Sequence, residues 1–324
     1  MRQSGLHLRP LVDMKVSQAL HYAEQVYRAN LLASQPAIAY LMARGIGARV
    51  ARAFGIGYAG ESFKALSSAL DATTGAEAGL LSVKGGIAYD RFVNRVMFPI
   101  RDEKGALVGF AGRVIKESAE VLAKYVNSPE TEFFKKGKIL YALHCADMNA
   151  GGLIVVEGFL DVVAMHQNGF CNTVGSMGTA VTRHQLQLLK SKTNKVIFCF
   201  DGDAAGLQAA KASFAVAAPL LDESFSVDYV FLPEGHDPDS LLKQHGAVGM
   251  RQCLVGKLSF PEAVFSVFSS SEDIEIPEGR AHVLAHVKPI VQAMPCFSVR
   301  ENFCHVMQAA LGLHGLNIQE YMEI

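Results

Sequence analysis

The chain has 324 residues, half of them hydrophobic and 19% charged, with a formal net charge of −1. That length and balance give room for two or three hydrophobic cores and exclude a disordered charged tail, a collagen-like repeat and a small disulfide-stapled scaffold. No apolar run reaches the roughly 18 residues a membrane span needs, and residues 1–10 lack the apolar stretch of an export signal, so a cytoplasmic protein is expected.

The first predicted helix covers 14–34, where Val16, Ala19, Leu20, Ala23, Val26 and Tyr27 recur at helical spacing. Two shorter helices are expected over 37–44 and 48–54, each stopped by a glycine, Gly45 and Gly55. Short β-prone runs follow at 87–89, 96–100 and 107–112, with Asp102-Glu103-Lys104-Gly105 as the hairpin turn between the last two. The polar stretch 116–138 reads as a long loop or a few irregular turns, and loops of that length are usually functional.

From 139 the pattern becomes alternating. Strands are expected at 153–156, 173–174, 196–200 and 227–231, and helices at 159–167, 183–190, 204–220 and 238–245. The strands are continuous apolar runs, as strands buried on both faces should be. This order predicts a three-layer α/β unit around a mostly parallel sheet. Beyond 259 only helical periodicity remains. Three parts are therefore expected: 1–137, 138–257 and 258–324.

Charge is unevenly spread. Residues 1–150 carry 19 Lys+Arg against 13 Asp+Glu, and residues 151–324 carry 11 against 18. Such a split suits a protein that grips phosphates with one part and metal ions with the other. The six cysteines (145, 171, 199, 253, 296, 304) form no CxxC pair. They are expected to be reduced core residues, and no zinc site is expected.

Three acidic clusters occupy equivalent places. Glu157 follows one predicted strand, with Asp161 four residues later. Asp201 and Asp203 follow the next, and Asp237 and Asp239 follow a third after a short turn. In an open parallel sheet the carboxyl ends of the strands form one rim, where ligands bind. Two carboxylates at about 4 Å repel by roughly 4 kcal/mol at an effective dielectric near 20. Several on one rim call for protons or a divalent cation. Oxygen-only ligands select hard ions, Mg²⁺ or Mn²⁺, and point to metal-assisted phosphoryl or nucleotidyl chemistry. Asp203 and Asp237 also sit where a helix N-cap would. Gly158 and Gly202 flank the acids, where the backbone can approach a metal-bound phosphate. Gly175-Ser176-Met177-Gly178-Thr179 adds another tight turn on the same rim.

These residues carry a resemblance. Glu157-Gly158-Phe159-Leu160-Asp161, Asp201-Gly202-Asp203-Ala204-Ala205-Gly206 and Asp237-Pro238-Asp239-Ser240 resemble the Toprim signature shared by bacterial primases, topoisomerases and some nucleases. Upstream, Arg95-Val96-Met97-Phe98-Pro99-Ile100-Arg101-Asp102, Gly109-Phe110-Ala111-Gly112-Arg113, Lys124-Tyr125-Val126-Asn127-Ser128-Pro129-Glu130-Thr131 and Phe134-Lys135-Lys136-Gly137 resemble the RNA polymerase core of DnaG-type bacterial primases. The resemblance runs from about residue 20 to 315. It implies a Toprim-type parallel sheet flanked by helices, with an N-terminal α/β subdomain and a C-terminal helical subdomain. It implies synthesis of RNA primers from ribonucleoside triphosphates on single-stranded DNA, with two or more Mg²⁺ or Mn²⁺ ions. Glu157, Asp201 and Asp203 would be catalytic, and Glu157, Asp161, Asp201, Asp203, Asp237 and Asp239 the metal ligands. Arg95, Arg101, Arg113, Lys124, Asn127, Lys135 and Lys136 match or flank the family's basic ridge, where fixed cations neutralise phosphate. Tyr125 and Phe134 are candidates for base stacking.

Three departures stand out. The zinc-binding and helicase-binding modules of the family are not in the sequence, so zinc-module and replicative-helicase contacts have no counterpart here. Ala204 and Leu207 stand where many relatives carry a basic residue. Gly55-Ile56-Gly57-Tyr58-Ala59-Gly60 matches GxGxxG but follows a helix rather than a strand, so it is read as a stop and a turn. His282 and His286, four apart on a predicted helix, are read as structural for want of a third ligand. The competing functions are a Toprim nuclease using the same acids, and a degenerate single-stranded DNA binding module.

Overall fold

The computed structural model describes residues 15–116, 123–178, 180–313 and 318. Residues 1–14, residues 117–122 of the expected loop and Thr179 of the expected turn lie outside them. The chain divides into two compact units, Met1–Ile139 and Leu140–Ile324.

The first unit begins with three helices, α1 (Val16–Ala33), α2 (Gln35–Ala43) and α3 (Ala48–Ala53). Strand β1 (Gly57–Tyr58) and helix α4 (Ala72–Glu77) follow, then strands β2 (Leu81–Lys84), β3 (Ile87–Asp90), β4 (Arg95–Arg101), β5 (Leu107–Val114) and β6 (Tyr125–Asn127). Four strands form an antiparallel sheet in the order β1-β4-β5-β6, and β2 and β3 form a separate ribbon. The periodic residues of α1 do what their spacing implies: Ala19, Leu20, Ala23 and Tyr27 are buried, and Tyr27 meets Phe110 of β5 edge-on at 5.2 Å. The Asp102 turn forms as expected, with its side chain accepting from the backbone of Lys104 and Ala106.

Two readings of this unit need correction. The GxGxxG stretch does stop α3 at Gly55 (φ 67°), but it also contains β1, and a Cβ on Gly57 would lie 2.6 Å from the Tyr27 backbone, so close helix–strand packing explains that glycine. The stretch 116–138 is not all loop, because β6 pairs with β5 through Tyr125, Val126 and Asn127.

The second unit alternates as expected. It runs β7 (Leu153–Val156), α5 (Phe159–Gln167), β8 (Thr173–Gly175), α6 (Arg183–Lys190), β9 (Lys195–Phe200), α7 (Ala204–Ala217), β10 (Ser226–Phe231) and α8 (Pro238–Val255). It ends with β11 (Leu258–Ser259), α9 (Phe260–Ser269), α10 (Pro277–Gln292) and α11 (Phe297–Ala310). The sheet order is β11-β10-β9-β7-β8, with the middle strands parallel and β11 antiparallel at one edge. The short β11 was not anticipated, since two residues show no period. Helix α8 continues past the expected end at 245, but its backbone breaks at Gly246 (φ 62°, ψ −169°), so a second helical stretch follows a kink. The aromatic stack of Phe198, Tyr229 and Phe214 under the sheet continues into Phe260 and Phe303, so α9 to α11 share one core with it.

The cysteines are not uniformly internal. Cys199 and Cys304 are buried, while Cys145 and Cys171 are exposed. His282 lies beside Glu272 at 3.1 Å and His286 stacks on Phe268 at 5.2 Å, as structural histidines should. Among the described residues no helix is long and apolar enough to cross a membrane.

Candidate active site

Strands β7 and β9 are neighbours in register, so the residues that leave their carboxyl ends, Glu157 and Asp201, emerge side by side. Asp161 stands in the first turn of α5. Asp203 and Asp237 are the N-caps of α7 and α8, accepting from Gly206 N–H at 2.8 Å and Ser240 N–H at 2.7 Å. Asp239 sits in the first turn of α8 and pairs with Lys243 at 2.5 Å.

The six acids share one electrostatic neighbourhood. Burial raises the Glu157 carboxyl above its ordinary range, and the Asp203 charge pushes it further. Burial and the charges of Glu157, Asp237 and Asp203 push Asp201 up to about 7. Asp161, half-buried and facing Asp237, Asp201 and Asp239, is raised well above the carboxylate range by desolvation and by those charges. The acids that follow the strand ends are therefore within electrostatic reach of one another.

The acids differ in what satisfies them. Asp203 and Asp237 cap helices and Asp239 has Lys243, whereas Glu157 Oε1 and Asp201 Oδ1 are buried oxygens without a hydrogen-bond partner. Among the described residues no three Asp, Glu, His or Cys side chains converge tightly enough to form a closed cage. A hard cation fits such a set. Mg²⁺ commonly takes one or two carboxylates and completes its shell with water and substrate phosphate. The two orphan oxygens are the donors such an ion would satisfy.

The glycines of the motif have occupants from the chain itself. A Cβ on Gly202 would lie 2.0 Å from the Pro233 carbonyl oxygen, and one on Gly206 would lie 2.2 Å from that of Asp201. Gly158 leaves room for the Asp161 carboxylate, 2.3 Å from where its Cβ would be. Packing of the rim thus accounts for Gly158 and Gly202 without a phosphate. The turn after β8 anchors the glutamate, since Gly178 N–H donates to the Glu157 carbonyl at 2.7 Å. A cleft of about 680 Å³ opens beside Asp201 and Asp203, walled by Leu207, Phe231, Glu234 and Ser266.

The cations of the first unit were expected as a ridge, and the structure sorts them. Arg95 donates to the carbonyls of Ala123 (2.7 Å) and Lys124 (3.2 Å), pinning the start of β6. Arg101 is held by buried Glu24 at 2.6 Å and by the Gly105 carbonyl. Arg113 is only 3% exposed; its Nε donates to the Tyr40 hydroxyl at 3.1 Å and its guanidinium lies 4.5 Å under the Tyr125 ring. Lys124, Tyr125 and Lys135 are exposed, and Lys135 makes a loose contact with Glu130 at 3.7 Å. Lys136 is half-buried, and its backbone N–H donates to Glu130. Asn127 holds Arg91 through its backbone carbonyl.

Phe134 is a correction. At 1% exposure it is core and cannot stack a base, whereas its neighbour Phe133 is exposed. The sequence reading also passed over Tyr40 and Arg44. Arg44 lies 5.5 Å over the Tyr40 ring, so Arg44, Tyr40, Arg113 and Tyr125 form one chain of cation–π and hydrogen-bond contacts. Only the helical spacing of Tyr40 and Arg44 hinted at a shared face, and nothing in the sequence paired that face with β5.

Comparison with known proteins agrees with this geometry. Residues 26–147 match the family model of the DNA primase catalytic core, N-terminal domain, and residues 154–242 match the Toprim-like family. The Toprim-like match implies use of a divalent metal in general. A DNA primase of Legionella pneumophila is 37% identical over 301 residues, covering 90% of this chain and 50% of the relative. The chain thus spans about half the length of the curated relatives it matches. The structure of a DNA primase domain from Pseudomonas aeruginosa superposes with a TM-score of 0.86 at 34% identity, covering 95% of this chain and 100% of that one. A DnaG primase catalytic domain bound to ssDNA superposes with a TM-score of 0.82 at 33% identity, covering 92% and 96%.

Proposed function

The chain belongs to the DnaG-type DNA primase family, within which it matches the catalytic core, and on that premise we propose that it synthesises short RNA primers on single-stranded DNA. The observation that carries the reading is the pair of buried, partnerless carboxylate oxygens, Glu157 Oε1 and Asp201 Oδ1, on a Toprim-like sheet. Two carboxylates left this way oppose folding unless a cation completes them.

Glu157 and Asp201 would hold the ion, with Asp203 next to them; Mg²⁺ or Mn²⁺, in two or more copies, is the proposed complement. When bound, such ions make the primer 3′-hydroxyl a better nucleophile and neutralise charge on the triphosphate. The chain's own residues do the rest. Gly178 N–H fixes the backbone of Glu157, and the helix caps fix Asp203 and Asp237, so the acids keep their places when substrate arrives. Asp161, raised by burial and by Asp237, Asp201 and Asp239, gives up its proton less readily than an ordinary carboxyl and so eases the charge that must be balanced. In the first unit, Lys124, Lys135 and Lys136 supply fixed cations for triphosphate or template phosphates. The open face of Tyr125, held by Arg113, stacks a base without reading its sequence. Single-stranded DNA and ribonucleoside triphosphates are the proposed substrates. A zinc-binding module and a replicative helicase are partners expected for the family, with the regions that would bind them not in this sequence, and the cytoplasm is the proposed location.

The test supplies single-stranded DNA, four ribonucleoside triphosphates and Mg²⁺ or Mn²⁺ and measures new RNA oligomers. Synthesis that disappears in Glu157→Gln while DNA binding persists is the expected outcome. Shortening of labelled DNA with no RNA product would replace this reading with a nuclease.

A further inference from the structure

Helices α1, α2 and α3 enclose a cavity of about 470 Å³. Its walls are aliphatic, with Leu31, Ile38, Leu41, Ile46 and Ile56 prominent. Two further lining residues, Leu32 and Met42, are 81% and 71% exposed. Single exposed leucines are ordinary on a protein surface. Two large apolar side chains at the lip of an aliphatic cavity are a patch, and patches of this kind mark binding sites.

The charges at the cavity are all of one sign. Arg28 of α1 and Arg52 of α3 also line it, and no acidic residue does. Both arginines are exposed, and neither has an ion-pair partner among the described residues. An apolar depression flanked by two uncompensated guanidiniums on different helices complements a ligand with an apolar stripe and acids beside it. The volume takes roughly three or four aliphatic or aromatic side chains at protein packing density. That is the set an amphipathic helix offers at i, i+3 or i+4, and i+7. Leu32 and Met42 extend the apolar surface outside the cavity, where the flanks of a helix would lie and a single inserted chain would not reach.

We propose that this cavity docks an acidic amphipathic helix of another protein. Nothing in the proposed catalytic machinery uses these residues, so the site is a recruitment surface independent of primer synthesis. The arginines steer the partner and set its orientation, and the aliphatic wall supplies the affinity.

The test uses the full chain. The sequence has no tryptophan, so Met42→Trp places the sole indole at the lip and its emission reports the cavity. A phage-displayed library of helical 16-residue peptides with randomised faces is selected on the wild-type chain, and enriched peptides are titrated against the reporter. The expected result is enrichment of net-negative peptides with apolar residues at i, i+3 or i+4, and i+7, binding in the micromolar range. Charge reversal, Arg28→Glu with Arg52→Glu, weakens them by about 10-fold or more and favours the Glu→Lys versions of the same peptides. Arg52→Ala alone gives an intermediate loss, and circular dichroism shows that each variant is folded. Three results would overturn the proposal. One is enrichment of basic or non-amphipathic peptides, or no enrichment that depends on the cavity. Another is a reporter that responds to anionic phospholipid vesicles and not to the peptides. The third is self-association of the chain abolished by Met42→Asp, which would make the occupant a second copy.

Discussion

The acid rim of the second unit and the cationic surface of the first treat charge in opposite ways. On the rim, Glu157 and Asp201 are half-buried, and each keeps one enclosed carboxylate oxygen that no described residue satisfies. In the first unit two of the more enclosed cations are held locally: Arg95 by backbone carbonyls and Arg101 by Glu24. A group that must meet a small ion is kept incomplete and rigid. A group that must meet a long, variable phosphate chain is either left on the surface or used to stiffen it. The same residue class therefore has different meanings in the two units, and exposure alone does not say which arginine touches a ligand.

The sharpest break of this contrast is Asp201→Asn. Removing one of the two orphan carboxylates lowers primer synthesis by at least about 100-fold. The same change relieves like-charge repulsion, so the metal-free protein melts at a higher temperature. A variant that is inactive and also less stable would mean that Asp201 holds the fold together rather than an ion.

Arg101→Ala probes the opposite case. It leaves buried Glu24 without its cation and destabilises the first unit by about 1–3 kcal/mol, since the arginine is partly solvated. Affinity for single-stranded DNA, measured at fixed salt on the folded variant, stays within about twofold. A large loss of affinity with an unchanged melting temperature would return Arg101 to the template ridge.

Titration addresses the rim as a whole. Asp201 titrates near 7 in the folded protein, against an ordinary value of 3.8. Between those values the folded form holds a proton that the unfolded chain has released. Its effect on stability is therefore least harmful at low pH and grows as pH rises, reaching its full penalty above about 7. Glu157 and Asp161 act in the same direction. The melting temperature of metal-free wild type, relative to Asp201→Asn, should fall by a few degrees between pH 5 and pH 8, and Mg²⁺ should restore it. A difference that stays flat, or one that Mg²⁺ leaves untouched, would argue against an ion at these oxygens.

The mildest change is Tyr40→Phe, which removes only the hydroxyl that accepts from Arg113. Because it acts through Arg113 and Tyr125, it should raise the KM for template by about two- to fivefold and leave kcat unchanged. An equal fall in kcat would place Tyr40 in the chemistry itself.

Much of this was legible in the residues. Continuous apolar runs alternating with helical periods announced the parallel sheet, because strands covered on both faces have no polar side to show. The caps at Asp203 and Asp237 were local enough to read, since an acid immediately before a helix accepts from an N–H of its first turn whatever surrounds it. Strand β11 and the β1 pairing were not legible, because two-residue strands are defined by their partners and carry no period of their own. The choice between Phe133 and Phe134 was equally hidden: adjacent aromatics look alike until one is packed beneath Gly109 and the other faces water.

The amino-acid order alone determined which acids follow which strands, and with them the family and the chemistry those acids invite. Only folding in three dimensions decided that one oxygen each of Glu157 and Asp201 is left without a partner among the described residues, that Lys243 neutralises Asp239, and that Arg113 lies beneath Tyr125. The reason is range. Period and capping act over a few bonds and are written in sequence. Burial and charge compensation depend on which distant segments arrive at the same place, and only the packed chain sets that.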